Sequence, residues 1–250
     1  MMRNWMDYFG VVVLLASTAF AGERRFVYTY EAEVLPKGVR EIEIWSTYHY
    51  RSNLLRLANR IELEWGLGSN VQTAFYLNTV SSSGEQGGKT RLSISNAWVY
   101  QFLDVGQHGI ASGLYGEWTL AANEVELELI WLGHTFVGNL LVGWNLLGKQ
   151  AWEREEGQWE VKRTVAVTGG VSIPLSSAIA AGLEFVQQYN VAEEVVTGAP
   201  LFAGPVFSVR QSGWWATMTF LPQLVDVHRK ALNLERFDRW QWRLLVSWIF

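Results

Sequence analysis

The sequence predicts an all-β fold, a transmembrane antiparallel up-and-down β-barrel of about twelve strands. Three observations carry this expectation. Long segments alternate apolar and polar residues, the connections are short on one side and longer on the other, and aromatic residues collect at strand ends. Composition agrees. Of the 250 residues 49% are hydrophobic and 14 are Trp, yet mean hydropathy is near zero, far below what a helical membrane protein requires. The net charge of -4, with no basic run, argues against a nucleic-acid partner. There is no Cys, which excludes disulfides and thiolate metal sites.

Residues 1–21 read as a cleaved export signal. Arg3 supplies the positive start, GVVVLLASTAF the apolar core, and Ala19-Phe20-Ala21 the small-x-small cleavage pattern. The apolar run is well short of the roughly 20 residues a spanning helix needs. Residues 22–38 follow as a periplasmic lead-in, with a tuck into the lumen as the alternative; Phe26, Tyr28 and Tyr30 alternate, but a strand here would make the count odd. A barrel over 39–250 completes the expected organisation.

The strands are expected at 41–51, 60–68, 71–81, 91–103, 109–121, 124–136, 139–150, 158–173, 178–189, 200–210, 214–224 and 236–250. In the first, Ile42, Ile44, Tyr48 and Tyr50 oppose Glu43, Thr47, His49 and Arg51. The second sets Ile61, Leu63, Trp65 and Leu67 against Arg60, Glu62 and Glu64. In VELELIWL, Val125, Leu127, Leu129 and Trp131 oppose Glu126 and Glu128. Pro205 and poor alternation make 200–210 an irregular strand. On one side the gaps are short: Gly68-Ser69-Asn70, Asp104 to His108, Val137-Gly138, Pro174 to Ser177 and Gln211-Ser212-Gly213. Most of the gaps on the other side are longer, with the connection at Ala122-Asn123 the exception. Trp65, Tyr100, Phe102, Trp131, Trp214, Trp248 and Phe250 fall at the short-turn rim, and Tyr48, Tyr50, Trp118, Trp159 and Trp240 at the opposite one. Amphipathic rings favour both edges of a bilayer. A soluble sandwich also alternates, but it has no reason to sort aromatics by rim.

The chain closes on RWQWRLLVSWIF. Its alternate apolar positions Trp242, Leu244, Val246 and Trp248 and the terminal Phe250 resemble the C-terminal assembly signal of bacterial outer-membrane β-barrel proteins. The start of the mature chain, RFVYTYEAEVLPKGVREIEIW, is similar to that of an uncharacterised outer-membrane barrel family. The resemblance implies outer-membrane lipid and the barrel-assembly machinery as partners, short turns in the periplasm, and a porin-like transport role. It implies no cofactor and leaves the oligomeric state open.

With no water inside the bilayer to satisfy a sheet edge, the last strand must pair with the first. Twelve tilted strands give a backbone diameter of roughly 24 Å, narrowed by side chains to about 10 Å. The expected lumen lining is Glu43, Arg60, Glu62, Glu64, Glu117, Glu126, Glu128, Lys162, Glu184, Arg239 and Arg243, with Arg243 and Glu43 meeting across the seam. These charges support two readings. They select small polar or cationic solutes, or they neutralise one another and fill the lumen. Three functions stay open: a channel for small polar solutes, a non-conducting envelope barrel, and a lipid enzyme with Ser and His on its outer wall. For the last, His49 and His134 point inward, His108 lies in a turn and His228 in a loop, none beside a distinctive Ser motif. Glu126, Glu128 and His134 match no compact metal site.

Overall fold

The computed structural model describes residues 23–52, 54–83, 88–155, 157–192 and 195–250; the export segment expected over 1–21 lies outside them. The strands are β1 (Arg40–Arg51), β2 (Leu54–Gly68), β3 (Val71–Ser83), β4 (Lys89–Leu103), β5 (Ile110–Ala121), β6 (Glu124–Val137), β7 (Leu140–Glu155), β8 (Gln158–Pro174), β9 (Ile179–Ala192), β10 (Val195–Gly198), β11 (Pro200–Gln211), β12 (Trp214–Asp226) and β13 (Trp240–Ile249). Each pairs antiparallel with its neighbours, and β8 pairs with β9, so the sheet has no long free edge. The four-residue β10 caps the loop end of β9, just before β11 takes over that pairing. The barrel therefore has twelve spanning strands.

The seam is the pairing of β13 with β1, from Glu41 opposite Ile249 to Tyr50 opposite Trp240. Its register corrects one expectation. Glu43 sits opposite Ser247 and Arg243 opposite Thr47, so the two charges are four positions apart. Arg243 donates its Nε–H to the Thr47 hydroxyl at 2.7 Å, while Glu43 has Arg24 at 3.6 Å.

One face of nearly every strand is an apolar belt. Leu129 is 60% exposed and Leu183 61%, whereas the inward His134 on β6 is fully buried. At the end where the short turns lie, here the turn end, Ser69 and Asn70 both have positive φ, the backbone of a type I′ hairpin. Asp104 caps the one-turn α1 (Val105–His108) by accepting the Gln107 N–H. At the opposite loop end the ladders run on through residues expected as loop, with Leu54 paired to Arg51 and Trp152 to Val161. These longer connections are thus hairpins extending beyond the belt. The irregular strand expected at 200–210 is β11. It pairs with β9 throughout the stretch around Pro205, but between Phe202 and Val206 its pairing with β12 lapses, since Pro205 has no N–H to donate. Gly204 is required there, because a Cβ would lie 1.9 Å from the Phe220 carbonyl oxygen.

Residues 23–39 form no strand; 23–35 run inside the barrel and 36–38 make an exposed turn before β1. Phe26 and Val27 are fully buried against Trp45, Leu141, Val206, Trp215 and Leu245. Gly143 and Gly170 make the notch for Phe26: a Cβ on either would lie 3.1 Å or 2.5 Å from its ring. The inward face is therefore not uniformly wet. Its turn-end half is packed, with Ile130, Leu132, Tyr76 and Tyr115 forming a second apolar cluster around Ala32.

Candidate functional site in the lumen

The wall holds the internal segment largely by its backbone. Glu184 accepts the N–H groups of Val27 (3.2 Å), Tyr28 (2.6 Å) and Thr29 (2.6 Å). Asn145 brackets Tyr30, accepting its N–H at 2.7 Å and donating to its carbonyl at 2.9 Å. His134 Nδ1 accepts from Ala32, Gln72 from Leu35, and Thr217 donates to the Arg24 carbonyl. These are the partners a non-strand backbone needs once it is removed from water. Within the segment, burial raises the Glu31 carboxyl to about 7, against the lowering pull of Arg24 and the Arg25 N–H.

Glu184→Ala leaves three N–H groups without an acceptor, at a cost of about 1–3 kcal/mol for each buried group. Hydrogen exchange at residues 27–29 should accelerate sharply, and Glu184→Gln, which keeps an acceptor, should fall between. Unchanged exchange in Glu184→Ala would show that the carboxylate does not hold the segment.

Below the middle of the lumen, carboxylate oxygens of Glu43, Glu62 and Glu64 fall within 4.8 Å of one another. That spacing suits a cation, but the Arg24 guanidinium already stands beside Glu43, and the Gln72 amide donates to Glu64. Arg24 also lies over the Tyr30 ring at 4.0 Å, so it both neutralises the acids and fixes the segment.

Toward the loop end the lumen opens into two cavities, of about 370 and 390 Å³, whose shared wall includes Tyr28, Lys149 and Arg243. The larger acidic wall belongs to the first. There Arg60 makes a two-pronged contact with Glu117 at 2.9 and 3.2 Å, Lys149 meets Glu126 at 3.2 Å, Arg91 pairs with Glu124, and Glu128 lines the space. Arg60 also stacks on Tyr76 at 4.3 Å. The second cavity is lined from β1, β2 and β13 on one side, from β7, β8, β9 and β11 on the other, and by the irregular residues 227–239, which bring Arg236, Phe237 and Asp238 to it.

The expected lining residues thus separate by level. Glu43, Glu62 and Glu64 surround Arg24, and Glu184 holds the segment, all below the cavities. Arg60, Glu117, Glu126, Glu128 and Arg243 line the open part. Lys162 reaches Glu153 at 2.7 Å near the loop end. Arg239 lines neither cavity; it stands just before β13 with an exposed side chain, its backbone bonded to Tyr50 and Gln223. Lys149, Arg51, Arg56, Arg236 and Asp238 were missed. Strand parity points to Lys149, two positions from Leu147 and four from Asn145, and to Arg51 on the polar face of the first strand; Arg56 was expected in a loop, and Arg236 and Asp238 in a strand over 236–250 that in fact begins at Trp240.

His49 is buried with Nδ1 2.7 Å from Asp238, but no Ser or Cys lines that cavity with it. His134 is taken by the segment and stands six residues from Glu128, about 20 Å along the strand. That separation rules out a joint site with Glu126 and Glu128.

No protein-family model matches the chain, and neither does any curated protein sequence. Solved structures do match in fold. An outer membrane channel from Pseudomonas putida F1 superposes with a TM-score of 0.66 at 10% identity, covering 90% of this chain and 100% of that one. The NanC porin gives 0.59 at 10% identity, over 83% and 98%. The translocator domain of the autotransporter NalP from Neisseria meningitidis gives 0.53 at 17% identity, over 86% and 89%. At these identities the shared property is the outer-membrane β-barrel fold.

Proposed function

We propose that this chain is an outer-membrane channel that passes small polar solutes through its charged lumen, with the turn end in the periplasm and the loop end outside. The observation that carries the reading is the loop-end half of the interior, where acidic and basic side chains surround two cavities inside a closed, lipid-facing wall. The channels and porins among the fold relatives agree with it. The apolar face ending in Trp242, Leu244, Val246, Trp248 and Phe250 would serve recognition by the barrel-assembly machinery, with lipid as the other partner and no cofactor.

A second reading, a non-conducting envelope barrel, draws on the segment that packs the turn-end half. Planar-bilayer recording of the refolded chain decides between them. The channel reading expects small unitary steps that scale with salt concentration. A silent bilayer containing correctly folded protein would leave the scaffold reading.

A further inference from the structure

Building on the channel reading, we infer that the cavity of about 390 Å³ at the loop end is a binding site for small organic anions carrying carboxylate groups. Its volume lies in the range of small-molecule sites. Five cationic side chains reach it, Arg51, Arg56, Lys149, Arg236 and Arg243, against one carboxylate, Asp238. Two of the five are already answered. Lys149 has Glu126 at 3.2 Å, and Arg56 approaches Asp238 at 3.9 Å, an acid that His49 also holds.

The other three have no carboxylate within ion-pair distance among the described residues. Arg51 donates to the Arg236 carbonyl (2.7 Å), Arg236 to the Thr197 carbonyl (3.3 Å), and Arg243 to the Thr47 hydroxyl (2.7 Å). Each bond occupies one N–H of a fork that matches the two oxygens of a carboxylate. A guanidinium fixed by a neutral acceptor keeps its full charge, so three such groups around one cavity make a standing positive potential. Amide side chains of Gln188, Asn190 and Gln241 supply donors and acceptors for the rest of a polar solute. The neighbouring cavity differs in balance: of its cations, Arg60, Arg91 and Lys149 each have a glutamate, Glu128 adds a further acid, and only the shared Arg243 lacks a carboxylate partner. The wall is made of inward-facing side chains, so the source is a dissolved solute and not a lipid headgroup.

The test is equilibrium dialysis of citrate, tricarballylate and inorganic phosphate against the full chain in detergent, with mannitol and spermidine as neutral and cationic comparators. Arg51 and Arg236 lie at the loop end, and folding of R51Q/R236Q is checked by its heat-modifiable gel shift. The tricarboxylates should bind more tightly than mannitol, weaken with added salt, and lose roughly tenfold or more in the double variant, the scale of losing a charge-assisted contact. Phosphate binding as tightly as citrate would overturn the carboxylate assignment. Citrate binding that survives R51Q/R236Q, or that spermidine equals, overturns the anion site itself. Citrate bound by a chain that carries no current keeps the site and removes the channel. Current with no citrate binding does the reverse.

Discussion

A chain lacking residues 23–36 should insert as a barrel and conduct several times more current than the full chain. The segment fills the narrow half of the lumen: Phe26 and Val27 are fully buried, and Glu184, Asn145, His134, Gln72 and Thr217 of the wall are committed to its backbone. The remaining route through a lumen of about 10 Å is therefore set by this segment and not by the strands. Removing it exposes Glu184, Asn145 and His134 to water, which can hydrate them, so the wall itself keeps its hydrogen bonding. The interstrand ladders do not depend on the segment, and the seam retains its ten paired positions. Equal conductance from both chains would mean that ions bypass the segment, and the lumen reading would need to be redrawn.

Leu244→Arg should destabilise the barrel in the membrane by about 2–4 kcal/mol, the cost of a cation on the lipid face near the bilayer midplane. Leu244 lies midway along β13, in register with Met218 of β12 and Ser46 of β1, and its face is the one that carries the exposed Trp248. The matching inward change is Ser93→Arg, which enters the larger-acid cavity beside Glu124 and Glu126 and should be close to neutral. Gln241 is a poor inward comparison, because its carbonyl accepts from the Tyr28 hydroxyl and its amide donates to Asp238. Urea-driven unfolding in lipid vesicles measures both. If the two arginines cost the same, the assignment of faces to lipid and lumen fails.

The belt was legible because hydrocarbon demands an unbroken apolar face, which leaves period-two runs such as Ile61, Leu63 and Trp65. Closure was legible from the same cause. Register was not, since a shift of the seam by two positions preserves every face while changing every partner; Glu43 and Arg243 look like neighbours in sequence pattern and are not. The packed half of the lumen left a trace that went unread. Trp45, Ile130, Leu132, Trp215 and Leu245 occupy inward positions where a watery pore calls for polar residues, and their counterpart is the Phe26-Val27 pair upstream. The arginine-rich cavity was out of reach, because Arg236 and Asp238, expected at the start of a strand over 236–250, lie in irregular backbone before β13 begins at Trp240, and the whole fold sets where that backbone runs.

The bonds from Glu184 to Val27, Tyr28 and Thr29 join residues more than 150 positions apart. Such a contact cannot form until the ninth strand is in place, although its N–H donors leave the ribosome before any strand does. The amino-terminal stretch must therefore wait, unsheltered, through most of assembly. Its docking should register as a late kinetic phase, after the wall has already entered lipid.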